Sequence, residues 1–576
     1  MNKIFKIFEF FSKRRKYQSV LLVGLMIITS LSEMIGIGLF YPILLLVSNP
    51  QGFFENQYLV TASKFLNISE PDEMVLPFLY FSAFIILVTA IIRVFAIWCY
   101  NKFAFAVGLE LGYKMYLNTL YQPYEDQIQE NSSFLIDGVT RKLGVITFGL
   151  FLPLLNLLTA VLILLFTSIL IMYINYIAAI SLISIFLSLY LVIFFLHKNK
   201  IEKYSKIHAQ NSSKIMLALQ EGLQAKKEII IDNKQKFFAN LFKNADRKMR
   251  MAEVSSQVIA SSPRFIVEGV AMILLIALLG YLYKQSIDII LYIPLIGTMG
   301  LAAQRTLPLF QVVYFSLTNI KHSSASYDEV IKILNRKVDD EDLLDVNEKI
   351  LFKKSINLKD ISFRYKTRDE LVIKNCSITI NKNSIIGFLG ESGSGKSTLI
   401  DIILCLLNPT NGKILIDDID ITNNKIAIKK WQKIISHVPQ EIFISDDTIK
   451  NNICLGEIEE NIDYELLNKA LKQSELTEFI DSLEKGYDTF IGEKGSHISG
   501  GQKQRIGIAR SLYKKSEVII FDEATNALDL ETEEKIIKLI KNLSKEKTII
   551  IVTHNRNNLY ICDDSFRINK GKIIPN

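Results

Sequence analysis

Six long apolar runs alternate with charged stretches over roughly the first 320 residues, and they predict membrane-spanning helices. The runs cover residues 20–47, 76–105, 145–174, 176–196, 265–283 and 289–315. Each is about as long as a helix must be to cross the hydrocarbon core of a bilayer. The basic run Lys13-Arg14-Arg15-Lys16 precedes the first, so the positive-inside rule places the N-terminus in the cytoplasm. Six spans then return the chain to that side.

Two stretches between these runs, residues 107–144 and 197–263, are long, charged and compatible with helix. We interpret them as cytoplasmic extensions of the membrane helices, with tips near residues 124–126 and 224–227. Such tips are suited to press on a soluble domain; solvated hairpins with no coupling role are the open alternative. Between the first two runs, residues 53–66 carry apolar side chains at roughly helical spacing. They predict either a helix lying on the outer membrane surface or a plug packed on the protein itself.

Beyond about residue 347 the pattern changes to short apolar runs mixed with polar, helix-compatible segments, which is typical of an α/β domain. Residues 384–389 predict a buried strand and residues 399–404 a helix. The segment between them fits G-x-x-x-x-G-K-[ST], the phosphate-binding loop of nucleotide hydrolases. Its candidate nucleotide-binding residues are Gly390, Glu391, Ser392, Gly393, Ser394, Gly395, Lys396, Ser397 and Thr398.

The residue types in this loop suit that chemistry. Glycines and small serines let successive N–H groups turn toward one phosphate at the positive end of the following helix. Lys396 is then placed to reach the β- and γ-phosphates, and the Ser397 hydroxyl to bind Mg²⁺. Tyr365 ends an alternating strand pattern upstream and is a candidate to stack on adenine. An ordinary strand tyrosine is the alternative for that residue.

A second buried strand, residues 518–521, ends in the paired acids Asp522 and Glu523. A parallel sheet delivers such acids to the carboxyl edge of its strands, where ligands bind. Asp522 is a candidate Mg²⁺ ligand through water, and Glu523 is placed to polarise an attacking water. The strand at 548–553 ends at His554, a candidate sensor of the γ-phosphate.

Charge and cysteine content narrow the class of protein. The formal net charge of +7 fits cytoplasmic loops facing anionic lipid, and no basic patch interleaved with aromatic residues indicates a nucleic-acid partner. The five cysteines lack C-x-x-C spacing, so neither a disulfide framework nor a zinc site is predicted. Four of them lie in the nucleotide-binding half, which we therefore expect in a reducing cytosol.

A few ionisable residues fall inside the predicted spans or at their edges, where charge is expensive and usually functional. Arg93, Arg264 and Arg305 lie on three different spans and together predict a basic cavity suited to an anionic headgroup. Glu268 follows Arg264 by four positions on the same helical face, so a simple ion pair between these two is the alternative.

Between the two nucleotide motifs lies Ile498-Ser499-Gly500-Gly501-Gln502, and with it the chain resembles an ABC transporter. In that family the signature, here with Ile498 in place of the usual leucine, closes over ATP held by the other subunit. The resemblance adds Ser499, Gly500, Gly501 and Gln502 to the nucleotide-binding residues, and Gln440 as a residue that contacts Mg²⁺. It makes Glu523 and His554 the catalytic pair. Residues 527–529 match the family's dimer-contact loop, and Asn526 stands before them in place of the usual serine. Before the signature, His497 stands where asparagine is common in the family.

The order of domains along the chain resembles that of the type IV exporters of this family. It predicts an all-α transmembrane domain of six helices (1–325), a linker (326–347) and an α/β P-loop ATPase domain (348–576). Because every catalytic motif is present, a homodimer with two competent sites suffices.

Short patches, residues 56–68 and 263–269 together with Arg305 and Pro308, resemble PglK-type flippases. The resemblance implies ATP-driven translocation of a polyprenyl-pyrophosphate-linked oligosaccharide across the cytoplasmic membrane, with the nucleotide-binding domain in the cytoplasm. A multidrug or lipid exporter is the alternative function, followed by a peptide exporter.

Overall fold

The computed structural model describes residues 2–39, 43, 75–174, 176–284, 289–346, 348–523, 530–554 and 556–575. The chain divides into two compact units. The helical unit comprises Met1–Gln122 and Glu130–Lys337, and the α/β unit comprises Pro123–Gln129 and Val338–Asn576.

The helical unit contains long helices joined by short turns. In chain order the helices up to residue 334 are α1 (Asn2–Glu9), α2 (Lys13–Gly38), α3 (Val75–Leu120), α4 (Tyr124–Gln127, which belongs to the α/β unit), α5 (Ser132–Asp137), α6 (Leu143–Ile146), α7 (Leu152–Ile174), α8 (Tyr176–Gln224), α9 (Lys226–Ile231), α10 (Gln235–Ser261), α11 (Pro263–Lys284), α12 (Ile289–His322) and α13 (Ser324–Leu334). Two π-helical turns, Gly138–Lys142 and Thr147–Phe151, flank α6.

Five helical stretches within the described residues are long and apolar enough to cross a membrane. They are Lys13–Gly38, Val75–Leu120, Ser132–Tyr173, Ala179–Gln224 and Gln235–Leu274. The sixth predicted run, 289–315, falls within α12, which is 34 residues long. The end of the first run and the external segment 53–66 lie outside the described residues. The helices continue well beyond the apolar runs, as the predicted cytoplasmic extensions require.

The predicted linker needs a correction at its start. Residues 324–334 form α13, and its apolar side chains are buried in the core of the helical unit. Tyr327, Val330 and Leu334 recur at helical spacing and form the buried face of α13. The charged residues between them are the reason that the sequence predicts a solvated linker here. The helical unit therefore extends to Lys337.

The α/β unit is built on two sheets. Its strands are β1 (Ser355–Phe363), β2 (Ile373–Asn381), β3 (Ile385–Gly390), β4 (Asn411–Ile416), β5 (Ile419–Asp420), β6 (Ile435–Val438), β7 (Val518–Asp522), β8 (Thr548–Thr553), β9 (Asp564–Asn569) and β10 (Lys572–Pro575). Its helices after α13 are α14 (Asp340–Leu343), α15 (Lys396–Ile403), α16 (Lys425–Gln432), α17 (Ile449–Ile453), α18 (Tyr464–Gln473), α19 (Thr477–Asp481), α20 (Gly500–Tyr513) and α21 (Leu530–Leu543).

The larger sheet determines where the site lies. Its order is β10-β9-β3-β8-β7-β6; the five strands from β9 to β6 run parallel to one another, and β10 pairs antiparallel with β9. β3 and β8 are buried at every position, because parallel strands covered on both faces must be apolar on both. The carboxyl ends of β3, β8 and β7 therefore meet at one edge, which receives the phosphate loop, His554 and the paired acids.

Candidate functional site

The phosphate loop between β3 and α15 needs its glycines. Gly393 and Gly395 have φ of +76° and +110°, which residues with a side chain rarely adopt. At Gly390 an added Cβ would lie 2.6 Å from Ser394 Oγ and 2.9 Å from the Ile568 carbonyl oxygen. The loop therefore holds a tight curve directly before the first turn of α15, where N–H groups favour anions.

Two polar side chains in the loop fit a phosphate ligand. Ser394 is buried, and its hydroxyl has no hydrogen-bond partner within the described residues. Buried hydroxyls are normally paired, so this one indicates a ligand. Lys396 Nζ donates to the carbonyl oxygens of Gly390 (2.7 Å) and Glu391 (3.1 Å), and so lies over the same loop.

Three predicted residues meet at the edge of the sheet. Gln440 Nε2 donates to Glu523 Oε2 at 3.0 Å, and His554 Nδ1 lies 3.2 Å from Glu523 Oε1. Glu523 has a left-handed φ of +51°, while its backbone N–H donates to the Val552 carbonyl oxygen at 2.9 Å. A left-handed φ is costly for a residue with a side chain, so the surrounding structure must hold Glu523 in this conformation. The structure thus directs the Glu523 carboxylate between an amide and an imidazole.

Two half-buried carboxyls, Asp522 and Asp401, lie close enough to each other to interact electrostatically, and the sequence predicts only the first of them. Burial, followed by the charge of Glu523, raises the pKa of Asp522 to about 6, while Lys396 opposes the shift. Burial and the neighbouring Asp522 raise the pKa of Asp401, on α15, to about 6. Asp401 follows Lys396 by five positions in an apolar helix; this isolated acid was the signal that could have found it.

The donor set suits Mg²⁺ rather than a metal held by protein ligands alone. Within the described residues no group of three or more His, Cys, Asp or Glu side chains forms a metal site. Mg²⁺ usually keeps several waters and binds through one or two carboxylates together with phosphate oxygens. Asp522, the exposed hydroxyl of Ser397 and the amide of Gln440 match that preference. These are the three residues that the sequence predicts for the metal.

The structure places Tyr365 beside the phosphate-loop helix. Its hydroxyl lies 3.1 Å from Thr398 Oγ1, and its ring packs edge-on against Phe363 with centroids 4.9 Å apart. The next residue, Lys366, donates from Nζ to Asp126 Oδ1 at 2.7 Å and from its backbone N–H to Glu125 Oε1 at 2.8 Å. The first predicted tip therefore belongs to the α/β unit. The second, at 224–227, lies between α8 and α9 of the helical unit.

The signature residues begin α20. Ser499 Oγ accepts from the Gln502 N–H at 3.2 Å, and Gln502 Oε1 accepts from the Ser499 N–H at 2.8 Å, which is a capping box. Gly500 and Gly501 form the first turn of this helix. The predicted dimer-contact loop, 527–529, lies outside the described residues, as does Asn526.

The three predicted cavity arginines have different surroundings. Arg93 Nη1 donates to Glu33 Oε1 at 2.7 Å, and Arg264 Nε donates to Glu268 Oε1 at 2.8 Å. The simple pair left open by the sequence is therefore present. Arg305 is exposed on α12.

Comparison with known proteins supports the fold. Residues 373–526 match the family model described as ABC transporter. A bacterial Atm1-family ABC exporter, solved with ATP bound, superposes with a TM-score of 0.75 at 19% identity, covering 97% of this chain and 94% of that one. This chain has the fold of an ABC exporter. The exporter fold confirms the predicted class: a helical membrane domain followed by a P-loop ATPase domain.

Curated relatives of this exporter-fold chain align over part of their length. A putative export ATP-binding/permease protein of Rickettsia typhi is 42% identical over 222 residues, which is 38% of either chain. An ATP-dependent lipid A-core flippase of Pasteurella multocida is 37% identical over 218 residues, 38% of this chain and 37% of that protein. The chain therefore spans about two fifths of the length of these two relatives.

Proposed function

We propose that this chain is an ATP-driven exporter of the flippase type, and that its cargo is a polyprenyl-pyrophosphate-linked oligosaccharide. The observation that carries the ATPase half is the placement of Glu523 between Gln440 and His554, at the sheet edge that also holds the phosphate loop. The cytoplasmic membrane is the proposed location, with the N-terminus and the ATPase domain in the cytoplasm.

In the proposed hydrolysis the protein's own groups orient and polarise water. The Glu523 carboxylate accepts a hydrogen bond from the attacking water, and His554 and Gln440 keep that carboxylate in place. Lys396 exchanges its loop carbonyl partners for phosphate oxygens, and the Ser394 hydroxyl gains the partner that it lacks. Mg²⁺, held by Asp522, Ser397 and Gln440, would neutralise charge on the phosphates when bound. Adenine stacks on Tyr365.

We further propose that two identical chains form the working transporter. The first turn of α20, with Ser499, Gly500, Gly501 and Gln502, closes over nucleotide held on the phosphate loop of the partner. The capping box supports this role, because it fixes the helix start whose N–H groups would meet phosphate. Each chain contributes one loop and one signature, so two equivalent composite sites result.

The proposed cargo contact is Arg93, Arg264 and Arg305. Guanidinium groups suit phosphate oxygens, and Arg264 and Arg93 have exposed side chains despite their acidic partners. Relatives named lipid A-core flippases support lipid export in general. A multidrug or other lipid exporter is the second candidate, and the apolar helices of the membrane domain are equally compatible with it.

Reconstitution into vesicles separates these functions. We expect purified protein to move a lipid-linked oligosaccharide across the bilayer with ATP, and Arg305→Ala to reduce that transport at least several-fold. Arg14→Ala, an exposed arginine outside the predicted spans, serves as the control. Transport unchanged by Arg305→Ala would refute the anionic-cargo site. Stimulation of ATP hydrolysis by apolar compounds, independent of the three arginines, would favour the drug or lipid exporter.

A further inference from the structure

The helix that leads into the fifth predicted span breaks just before the arginine proposed to contact cargo. Helix α10 ends at Ser261 and α11 begins at Pro263, whose ring nitrogen has no hydrogen to donate. Phe265 N–H and Ile266 N–H both donate to the Ser262 carbonyl oxygen, so α11 starts its own hydrogen-bond ladder. A break of this kind leaves carbonyl groups of the preceding turn to be satisfied from outside the helix.

Gln311 of α12 supplies that outside partner. Its Nε2 donates to the Ala260 carbonyl oxygen at 2.9 Å, and its Oε1 accepts from the Tyr190 hydroxyl at 3.2 Å. One amide thus uses both of its ends to join the end of α10, α12 and α8. Only one orientation of the amide satisfies both partners, because a carbonyl accepts and an NH₂ group donates.

Aromatic packing makes this bridge rigid. The Tyr190 ring is buried and nearly parallel to Phe310, with centroids 6.1 Å apart and planes 9° apart. The Tyr314 ring also packs against Tyr190, with centroids 5.7 Å apart. With Tyr190 held by its neighbours, Gln311 has a fixed anchor from which to hold Ala260.

The break determines where Arg264 points. Arg264 is the second residue of α11 and pairs with Glu268 one turn later; their side chains are 50% and 41% exposed. Both charges are close enough to interact electrostatically with Tyr190. The direction of the first turn of α11, and with it the reach of the guanidinium, therefore depends on how the end of α10 is held.

We infer that Gln311 is a positioning residue for the headgroup site: by holding the Ala260 carbonyl at the helix break, it orients Arg264 toward an anionic cargo. This inference rests on the proposed function of Arg264. Gln311 itself need not touch the cargo, since both ends of its amide are engaged within the protein.

The kinetic test uses lipid-linked oligosaccharide transport in vesicles. Gln311→Leu removes both hydrogen bonds, and we expect KM for the oligosaccharide to rise about tenfold while basal ATP hydrolysis stays within about twofold, as for loss of a buried polar contact. Gln311→Glu keeps an acceptor for Tyr190 but, when ionised, cannot donate to Ala260, so its KM should rise similarly. Gln257→Leu, an exposed site one turn before the break, is the control. An unchanged KM in both Gln311 variants would overturn the inference.

Two further readouts separate this inference from the proposed function. In an Arg264→Ala background, Gln311→Leu should raise KM by less than about a further twofold, because Gln311 acts through Arg264. Fully additive effects of the two substitutions on KM would overturn the inference. Hydrogen exchange of the backbone amides of residues 262 and 264–266 should be several-fold faster in Gln311→Leu than in wild type, whether or not the oligosaccharide is the cargo. Unchanged exchange would show that Gln311 does not hold the break. Wild-type protein that moves no oligosaccharide would instead refute the proposed cargo.

Discussion

The buried ion network at Lys142 provides the sharpest stability prediction. Lys142 and Asp137 have side chains 1% and 0% exposed, and Lys142 Nζ lies 2.9 Å from Asp137 Oδ2. Lys142 Nζ also donates to Ser213 Oγ at 2.8 Å and pairs with Glu329 of α13. Asp137 and Lys142 are five positions apart, and an α-helix places residues with that spacing on different faces. The π-helical turn Gly138–Lys142 brings them together.

Replacing Lys142 with Met would leave the Asp137 carboxylate buried with only hydroxyl partners, chiefly Ser212 Oγ at 2.7 Å. An uncompensated buried charge of this kind costs about 3–5 kcal/mol. This is a large share of the roughly 5–15 kcal/mol that stabilises a folded domain. For a unit of this size the loss corresponds to about 5–15 °C in apparent melting temperature.

Thermal unfolding in detergent, followed at a fixed scan rate, measures the effect. Lys206→Met is the matched control, because Lys206 forms an exposed pair with Glu202 and should shift melting by about 1–3 °C or less. Adding Asp137→Asn to Lys142→Met should recover much of the loss, since it removes the stranded charge. A Lys142→Met shift no larger than that of Lys206→Met would refute the reasoning.

Two further predictions concern the α/β unit. Gly395→Ala should lower ATP affinity at least tenfold, because φ is +110° and the new Cβ would lie 3.0 Å from Ile373 Cδ1. Gly456, also at positive φ but with open space around it, is the control, and Gly456→Ala should leave ATP binding intact. Equal losses of ATP affinity in both variants would contradict this prediction. The pKa of Asp401 is about 6 in the folded chain, above its ordinary value, so the stabilisation that it provides is complete below about pH 4 and lost as pH rises through 6. In buffer without Mg²⁺, Asp401→Asn should therefore stabilise the protein more at pH 8 than at pH 5. The difference should be roughly 1–2 kcal/mol after discounting for partial exposure. Melting curves that show the same effect of the substitution at both pH values would contradict this prediction.

The sheet edge that carries the candidate site was predictable in outline because its sequence signals are local. The strands before Gly390 and Glu523 are apolar at nearly every position, as strands buried on both faces must be, and each is followed by residues whose chemistry is specific. Their order in the sheet then brings the ends together. The contacts of Glu523 with Gln440 and His554 required the fold itself.

Other features depend on contacts that a sequence does not display. Residues of α13 were assigned to a linker because charged side chains alternate with the buried ones. The Asp137–Lys142 pair was missed because its spacing fits only a π-helical turn. Asp401 lies in a helix that carries the phosphate loop, and its significance appears only when Asp522 is found beside it. The role of Gln311 depends on the break at Pro263 on another helix.

The most direct measurement of the central claim is steady-state ATP hydrolysis by the purified full chain carrying Glu523→Gln. The substitution keeps the shape of the side chain and its contact with Gln440 but removes the charge that would act on water. The account predicts a fall in turnover of roughly 100- to 10,000-fold with ATP binding retained. Glu517→Gln, before the opposite end of β7, should have no such effect. Turnover within a few-fold of wild type in Glu523→Gln would contradict the account.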